Sequence, residues 1–395
     1  MTHADDSSKV AEVADAPTQS SAASRTARAT SVKKSHAQGN LPEKKPRKKI
    51  GQRGAAQAPE VVVPTREHAE DNTEFDVPAV ARGTFASAAL PALPKLESAA
   101  QPKPVFDRAQ RVGTHEVSAR VWVGDCRDVL SKLAEIRESK LDLVFADPPF
   151  NWNRAYDKWD DAMNDRDYLD FTRDWLDLCI AGLRKGGQIW VNIPDDWAAE
   201  IVMHLKARGL MMNNWCVWHY RFGQNTTARF INSKVHALNF VKGGAMHTWN
   251  PHEVLEMSDR AAIYGDKRTL SKEDGMPPGK RVPMDVWYGP FLGRVQGNNK
   301  ERRGYHDNQL PEAYLERVIR STSKPGDLVL DPFLGSGTTG VMAYALGRNF
   351  IGTEFSKENA KRACERIERG PVRPLGTTAE VQSTAIFKKR VELKP

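Results

Sequence analysis

The chain has 395 residues, with 58 Lys and Arg against 50 Asp and Glu, a formal net charge of +8, and 8% aromatic residues. No run approaches the roughly 18 to 20 apolar residues of a membrane span, and Asp5 and Asp6 stand where a signal peptide needs an apolar stretch. The cysteines Cys126, Cys179, Cys216 and Cys364 are too dispersed for a CxxC zinc or redox pair, so a membrane or disulfide-built protein is excluded and a reduced, cytoplasmic one is expected, with no metal.

Residues 1–115 are rich in Ala, Ser, Pro, Lys and Glu and contain no Trp or Tyr. Such a span buries too little apolar surface to offset the entropy of ordering, and a disordered arm is expected. Within it Lys33, Lys34, Lys44, Lys45, Arg47, Lys48, Lys49 and Arg53 face the single acid Glu43. A flexible basic stretch of this kind can touch phosphates without reading bases, a solubilising tail being the alternative.

The folded domain is expected over 116–370, beginning in earnest at a short strand, Val121-Trp122-Val123, before Gly124-Asp125. Val129, Leu130, Leu133 and Ile136 recur at helical spacing and predict a helix over 127–139. Leu141 to Ala146 reads as a strand buried on both faces. A polar and aromatic loop over 151–165, with Trp152, Tyr156 and Trp159, has the length of a functional loop. A helix over 168–183, a Gly186-Gly187 turn, a strand over 188–193, a helix over 195–208 and strands over 215–222 and 235–242 continue the pattern. From about 243 to 305 the alternation stops in a stretch rich in Gly, Pro, His, Trp and basic residues. It resumes with a helix over 311–321, a strand over 328–331, a helix over 338–346, a strand over 349–354 and a helix over 356–368, and a tail over 371–395 follows. Alternating strands and helices predict an α/β fold, a mostly parallel sheet with helices on both faces.

Two of these strands end in an acid followed by proline, at Asp147-Pro148-Pro149-Phe150 and at Asp331-Pro332-Phe333-Leu334-Gly335-Ser336-Gly337. Ligands of open parallel sheets sit outside the carboxyl ends of strands, so the two carboxylates can face one crevice. The glycines also fit GxGxxG, with Glu354 nineteen residues after Gly335, which admits a nicotinamide-dinucleotide oxidoreductase as an alternative. Against it, Asp331 would repel a pyrophosphate, and Asp-Pro-Pro-Phe has no role in hydride transfer. A catalytically silent nucleic-acid-binding protein is a further alternative, disfavoured because folding alone asks for no such tetrapeptide.

In their order along the chain, these motifs resemble those of the amino-group DNA methyltransferases that use S-adenosylmethionine, in particular the circularly permuted beta class. Gly124-Asp125-Cys126, His306-Asp307-Asn308-Gln309 and Ile351-Gly352-Thr353-Glu354 extend the resemblance to roughly 118–370. It implies a Rossmann-like methyltransferase fold, duplex DNA as partner, and target reading in the 243–305 insertion. It leaves open a homodimer and a restriction endonuclease partner.

The resemblance also implies roles. Asp147 and the Pro148 carbonyl would each accept a hydrogen of the target amino group, the two prolines holding that carbonyl in place and Phe150 stacking on the flipped base. Around the cofactor, Asp331 would meet the methionine ammonium and Glu354 the ribose. Phe333, Gly335, Ser336, Gly337 and Thr338 would form the cofactor loop, Asp125 would lie near adenine, and Gln309 would help grip the methionine end. An aspartate at the first catalytic position favours adenine-N6 over cytosine-N4.

Overall fold

The computed structural model describes residues 92, 100–153, 161–220, 223, 225–269, 277–289, 291–306 and 308–376. The basic arm at 33–53, Tyr156, Trp159, Asp307 and the tail beyond 376 lie outside the described residues.

In chain order the elements are β1 (Phe106–Val112), β2 (His115–Val123), α1 (Cys126–Leu130), α2 (Ala134–Arg137), β3 (Leu141–Ala146), α3 (Asp165–Gly182), β4 (Leu183–Ile193), α4 (Asp195–Ala207), β5 (Met211–His219), β6 (Lys234–Val241), β7 (Glu256–Met257), α5 (Asp259–Ala262), β8 (Lys280–Arg281), β9 (Val286–Trp287), α6 (Glu312–Thr322), β10 (Leu328–Asp331), α7 (Thr338–Ala345), β11 (Asn349–Glu354) and α8 (Lys357–Arg369). Among the described residues the main sheet has the order β1-β2-β11-β10-β3-β4-β6-β5-β9. The run from β2 to β4 is parallel throughout, whereas β6 is antiparallel to both β4 and β5.

Strand β3 shows why the centre is apolar on both sides. Leu143 and Phe145 enter one hydrophobic cluster with Leu315, Val341 and Ile367, while Val144 and Ala146 enter the opposite cluster with Trp175, Leu176 and Ile201. Helices on both faces complete the two layers, and the carboxyl ends of β3 and β10 emerge side by side, Val329 opposite Leu143 and Leu330 opposite Val144.

Several expectations change. Among the described residues a strand begins at Phe106, within the span expected to be disordered up to 115, because β1 pairs with β2 through a hairpin whose turn is Gly113-Thr114, Gly113 at φ +59°. This edge strand buries only Phe106, so its polar composition hid it. The helix expected over 127–139 divides into α1 and α2, although Val129, Leu130, Leu133 and Ile136 are all buried as the spacing required. Gly186 and Gly187 lie inside β4, in a register shift in which Leu141 faces Leu183 and Leu143 faces Gln188. The 243–305 stretch holds the β7–β8 pair, and it also returns to the core through β9, whose Trp287 packs on Trp190 and Tyr314. Finally, residues 371–376 lie along α6: Val372 donates to Glu312, and Gly376 to Glu316.

Candidate active site

At the carboxyl edge a single cavity is lined by Asp147, Pro148, Pro149 and Phe150 after β3 and by Asp331, Phe333, Gly335 and Ser336 after β10. Thr338, Glu354 and Asp125 complete its wall. Most of the expected site residues are therefore neighbours in space.

The catalytic end is braced from both sides. Asn192 near the end of β4 donates from Nδ2 to Asp147 Oδ1 at 2.6 Å, and the buried Tyr314 hydroxyl donates to Asn192 Oδ1 at 3.3 Å. The Pro149 carbonyl accepts from the Tyr168 hydroxyl at 2.7 Å, and the Phe150 carbonyl accepts from Trp197 Nε1 at 2.9 Å. The intervening Pro148 carbonyl carries no hydrogen-bond donor among the described residues. Beyond Phe150 the chain turns through Asn151 and Asn153 at φ +59° and +54°, a conformation asparagine tolerates better than most residues. The Asp161 carboxylate holds this turn by accepting from the Asn151 and Trp152 amides at 2.9 and 3.0 Å. Trp152 packs edge-on against Phe150 at 5.2 Å, and its indole donates to Asp196.

At the cofactor end, Asp331 Oδ1 accepts from the Phe333 amide at 2.9 Å, and Phe333 is held edge-on by Trp175 at 5.1 Å. Gly335, at φ +51°, turns its amide onto Glu354 Oε2 at 2.8 Å, while Glu354 Oε1 accepts from Ser356. Asp125 caps α1 and is bound by the Arg127 guanidinium at 2.8 Å while still facing the cavity.

Two expected residues serve elsewhere. Gln309 does not line the cavity: its Nε2 donates to the Glu301 carbonyl at 2.7 Å and its Oε1 accepts from the Arg303 amide at 3.0 Å. His306 and Asn308 of the same motif line the wall instead. Gly337 is likewise absent from the wall. At φ +83° it packs against α8, where an added Cβ would lie 2.9 Å from Ala363 Cβ, so helix packing requires a residue this small.

Electrostatically the cavity is a concentration of acid. Burial pushes Asp147 up to about 7; Asn192's hydrogen bond opposes the rise, the neighbouring Asp331 adds to it, and Arg294 counteracts it. Burial likewise raises Asp331 to about 7, against the hydrogen bonds from Thr339 and the Phe333 amide and with a further push from Glu354. Burial raises the Asp125 carboxyl too, but the Arg127 contacts outweigh it and hold it below its ordinary value. Four carboxylates, Asp125, Asp147, Asp331 and Glu354, with aromatic walls fit a cationic, partly apolar ligand. They do not fit a pyrophosphate, and the Gly335 amide that would cradle one is spent on Glu354.

Asn192, Tyr314, Tyr168, Trp197 and the wall residues Phe171, Phe355 and Asn359 were not expected from the sequence. Asn192 did carry a signal, being a polar residue at the carboxyl end of an apolar strand. The others have none, since their role is to meet a distant segment. Among the basic residues of the insertion, Arg281 pairs with Glu256 and Asp259, and Arg268 with Asp266, while Arg294 donates to Asn308 and lies 5.3 Å over the Tyr220 ring. His236 stands between Trp215 Nε1, 2.8 Å from its Nδ1, and Asp195, 2.6 Å from its Nε2.

Comparison with known proteins agrees with this geometry. Residues 141–365 match the model of the N6/N4 methyltransferase family, described as DNA methylase. Over 246 residues the chain is 32% identical to the type II methyltransferase M1.MboII of Moraxella bovis, covering 60% of this chain and 92% of that protein. The DNA adenine methyltransferase YhdJ of Escherichia coli K12 is 32% identical over 252 residues, 61% of this chain and 81% of its own length. Among solved structures, the cytosine-N4-specific PvuII DNA methyltransferase aligns with a TM-score of 0.45 at 17% identity, over 70% of this chain and 93% of that one.

Proposed function

The chain belongs to the DNA methylase family, and from that premise we propose that it transfers the methyl group of S-adenosylmethionine to the N6 amino group of adenine in duplex DNA, the target nucleotide being turned out of the helix. The observation that carries this reading is the juxtaposition, in one acid-lined cavity, of Asp147 and an unengaged Pro148 carbonyl with Asp331, Gly335 and Glu354.

S-adenosylmethionine supplies, when bound, a methyl group on a positively charged sulfur. Asp331 offers its buried carboxylate to the methionine ammonium, and the Glu354 carboxylate, which accepts from the Gly335 and Ser356 amides and faces the cavity, is the acceptor for the ribose hydroxyls. Phe333 and Phe150 add apolar ring faces to the wall of the same cavity.

Asp147 accepts one hydrogen of the target amine and the Pro148 carbonyl the other. The nitrogen is thereby drawn out of conjugation, so that its lone pair points at the methyl carbon. As the N–C bond forms and the S–C bond breaks, positive charge grows on nitrogen and the Asp147 carboxylate stabilises it, then takes the surplus proton. Asn192 and Tyr314 hold that carboxylate in line. Tyr168 and Trp197 occupy the two following carbonyls, which leaves the Pro148 oxygen as the acceptor the backbone presents.

Adenine is favoured over cytosine by the aspartate at the first catalytic position and by the name of the Escherichia coli relative. Incubation with duplex DNA and methyl-labelled cofactor, followed by nucleoside digestion, is expected to yield N6-methyladenosine. N4-methylcytosine would overturn the base assignment, and no label would overturn methyl transfer. Asp147→Ala is expected to abolish labelling while cofactor affinity persists.

A further inference from the structure

β5 runs parallel to β4, because each is antiparallel to β6, and its carboxyl end therefore leaves the sheet at the catalytic edge. There the Tyr220 amide donates to the Ser233 carbonyl at 3.0 Å and closes the base of a loop whose described residues are 223 and 225–232. In the order β3-β4-β6-β5 this exit lies three strand spacings from Asp147, about 14 Å. The cofactor-end strands β10 and β11 lie on the other side of β3, so the loop stands on the side from which a target would approach.

The outer limb of this loop carries Phe230 at 98% exposure, followed by Ile231 at 45%. An aromatic ring so fully in water contributes nothing to the core, and its neighbour Arg229 is exposed with no ion-pair partner among the described residues. The limb is nevertheless held: Gly223 packs so closely that an added Cβ would overlap Ile231 and sit 2.6 Å from the Asn232 carbonyl oxygen. Phe230 is thus presented on a braced limb.

We propose that Phe230 is a wedge for duplex DNA, entering the base stack where the target nucleotide leaves while Arg229 lies against an adjacent phosphate. Extruding a paired base forfeits its stacking and pairing, and an inserted apolar side chain restores part of the contact. The span of about 14 Å, comparable with a major-groove width, lets a nucleotide reach Asp147 while its place in the helix stays beside the loop. The inference rests on the methyl-transfer reading and adds to it the residue that opens the duplex.

The test uses the full chain and two duplexes carrying the methylated site mapped with wild-type protein, one fully paired and one with an abasic residue opposite the target. Phe230→Ala is expected to lower kcat/KM roughly tenfold or more on the paired duplex but under about threefold on the abasic one, where no pairing must be broken. Phe230→Trp is expected to retain activity on both, and cofactor affinity to stay unchanged. Equal loss on both duplexes, or no loss on either, would overturn the wedge while leaving methyl transfer in place. A wild-type protein that leaves no methylated site to map overturns the methyl-transfer reading itself.

Discussion

Replacing Asn192 by Leu keeps the side-chain size but removes the donor that reaches Asp147 Oδ1 at 2.6 Å. Burial raises the Asp147 pKa to about 7, the Asn192 hydrogen bond opposing it, the facing Asp331 adding to it and Arg294 lowering it, with the Tyr314 hydroxyl standing behind Asn192. A hydrogen bond to a charged group contributes about 1.5 to 3 kcal/mol. Since one pH unit corresponds to 1.36 kcal/mol, its loss is expected to raise the Asp147 pKa by roughly one to two pH units. A higher pKa means a smaller carboxylate fraction near neutrality, so the acidic limb of kcat/KM against pH moves to higher pH. At pH 7.5 the ionised fraction falls by a factor of roughly 3 to 25, and most of the activity returns by about pH 9 to 10. Steady-state methylation across pH 6 to 10, with cofactor affinity measured in parallel, reads this directly. A loss of the same size at every pH would show that Asn192 acts through packing and would refute the electrostatic reasoning. Tyr314→Phe, which leaves Asn192 in place, is expected to shift the limb in the same direction by less.

With burial holding Asp331 at about 7, the proposed contact with the methionine ammonium, which needs the carboxylate ionised, is expected to make cofactor binding proton-linked. The dissociation constant measured by calorimetry should tighten by up to about tenfold per pH unit below 7 and level off above it, and a flat profile between pH 5.5 and 7 would exclude this contact. Without ligand, the folded chain keeps protons on Asp147 and Asp331 that the unfolded chain releases near 3.8. Stability should therefore fall as pH rises from about 4 to 7, visible as a declining Tm, and a Tm rising over that window would contradict it. Gly337→Ala places a Cβ at positive φ and 2.9 Å from Ala363, at a cost of about 1 to 3 kcal/mol that a urea melt resolves. Arg366→Met removes the buried partner of Glu312, 3.0 Å away, and the donor to Thr338 Oγ1 at 2.7 Å, and should cost about 3 to 5 kcal/mol; a loss below about 1 kcal/mol would show the pair to be dispensable.

Local periodicity and short motifs were enough to place several elements. Strand β3 has the bounds its apolar run required, α4, α6 and α7 lie within a residue of theirs, and the acid-proline motifs stand at strand ends. The sequence concealed β1, since an edge strand needs only backbone pairing and leaves its side chains polar. It also gave no sign of what Gln309 and Gly337 touch, since their neighbours, the Glu301–Arg303 turn and Ala363, belong to other segments. That Asp147 and Asp331 share one cavity, that Asn192 and Tyr314 support the first of them, and that Phe230 stands exposed emerged with the folded sheet. The reason is physical: a residue's burial pattern is written in its near neighbours, whereas pKa and hydrogen-bond partners depend on which strands lie side by side, a property of the whole sheet.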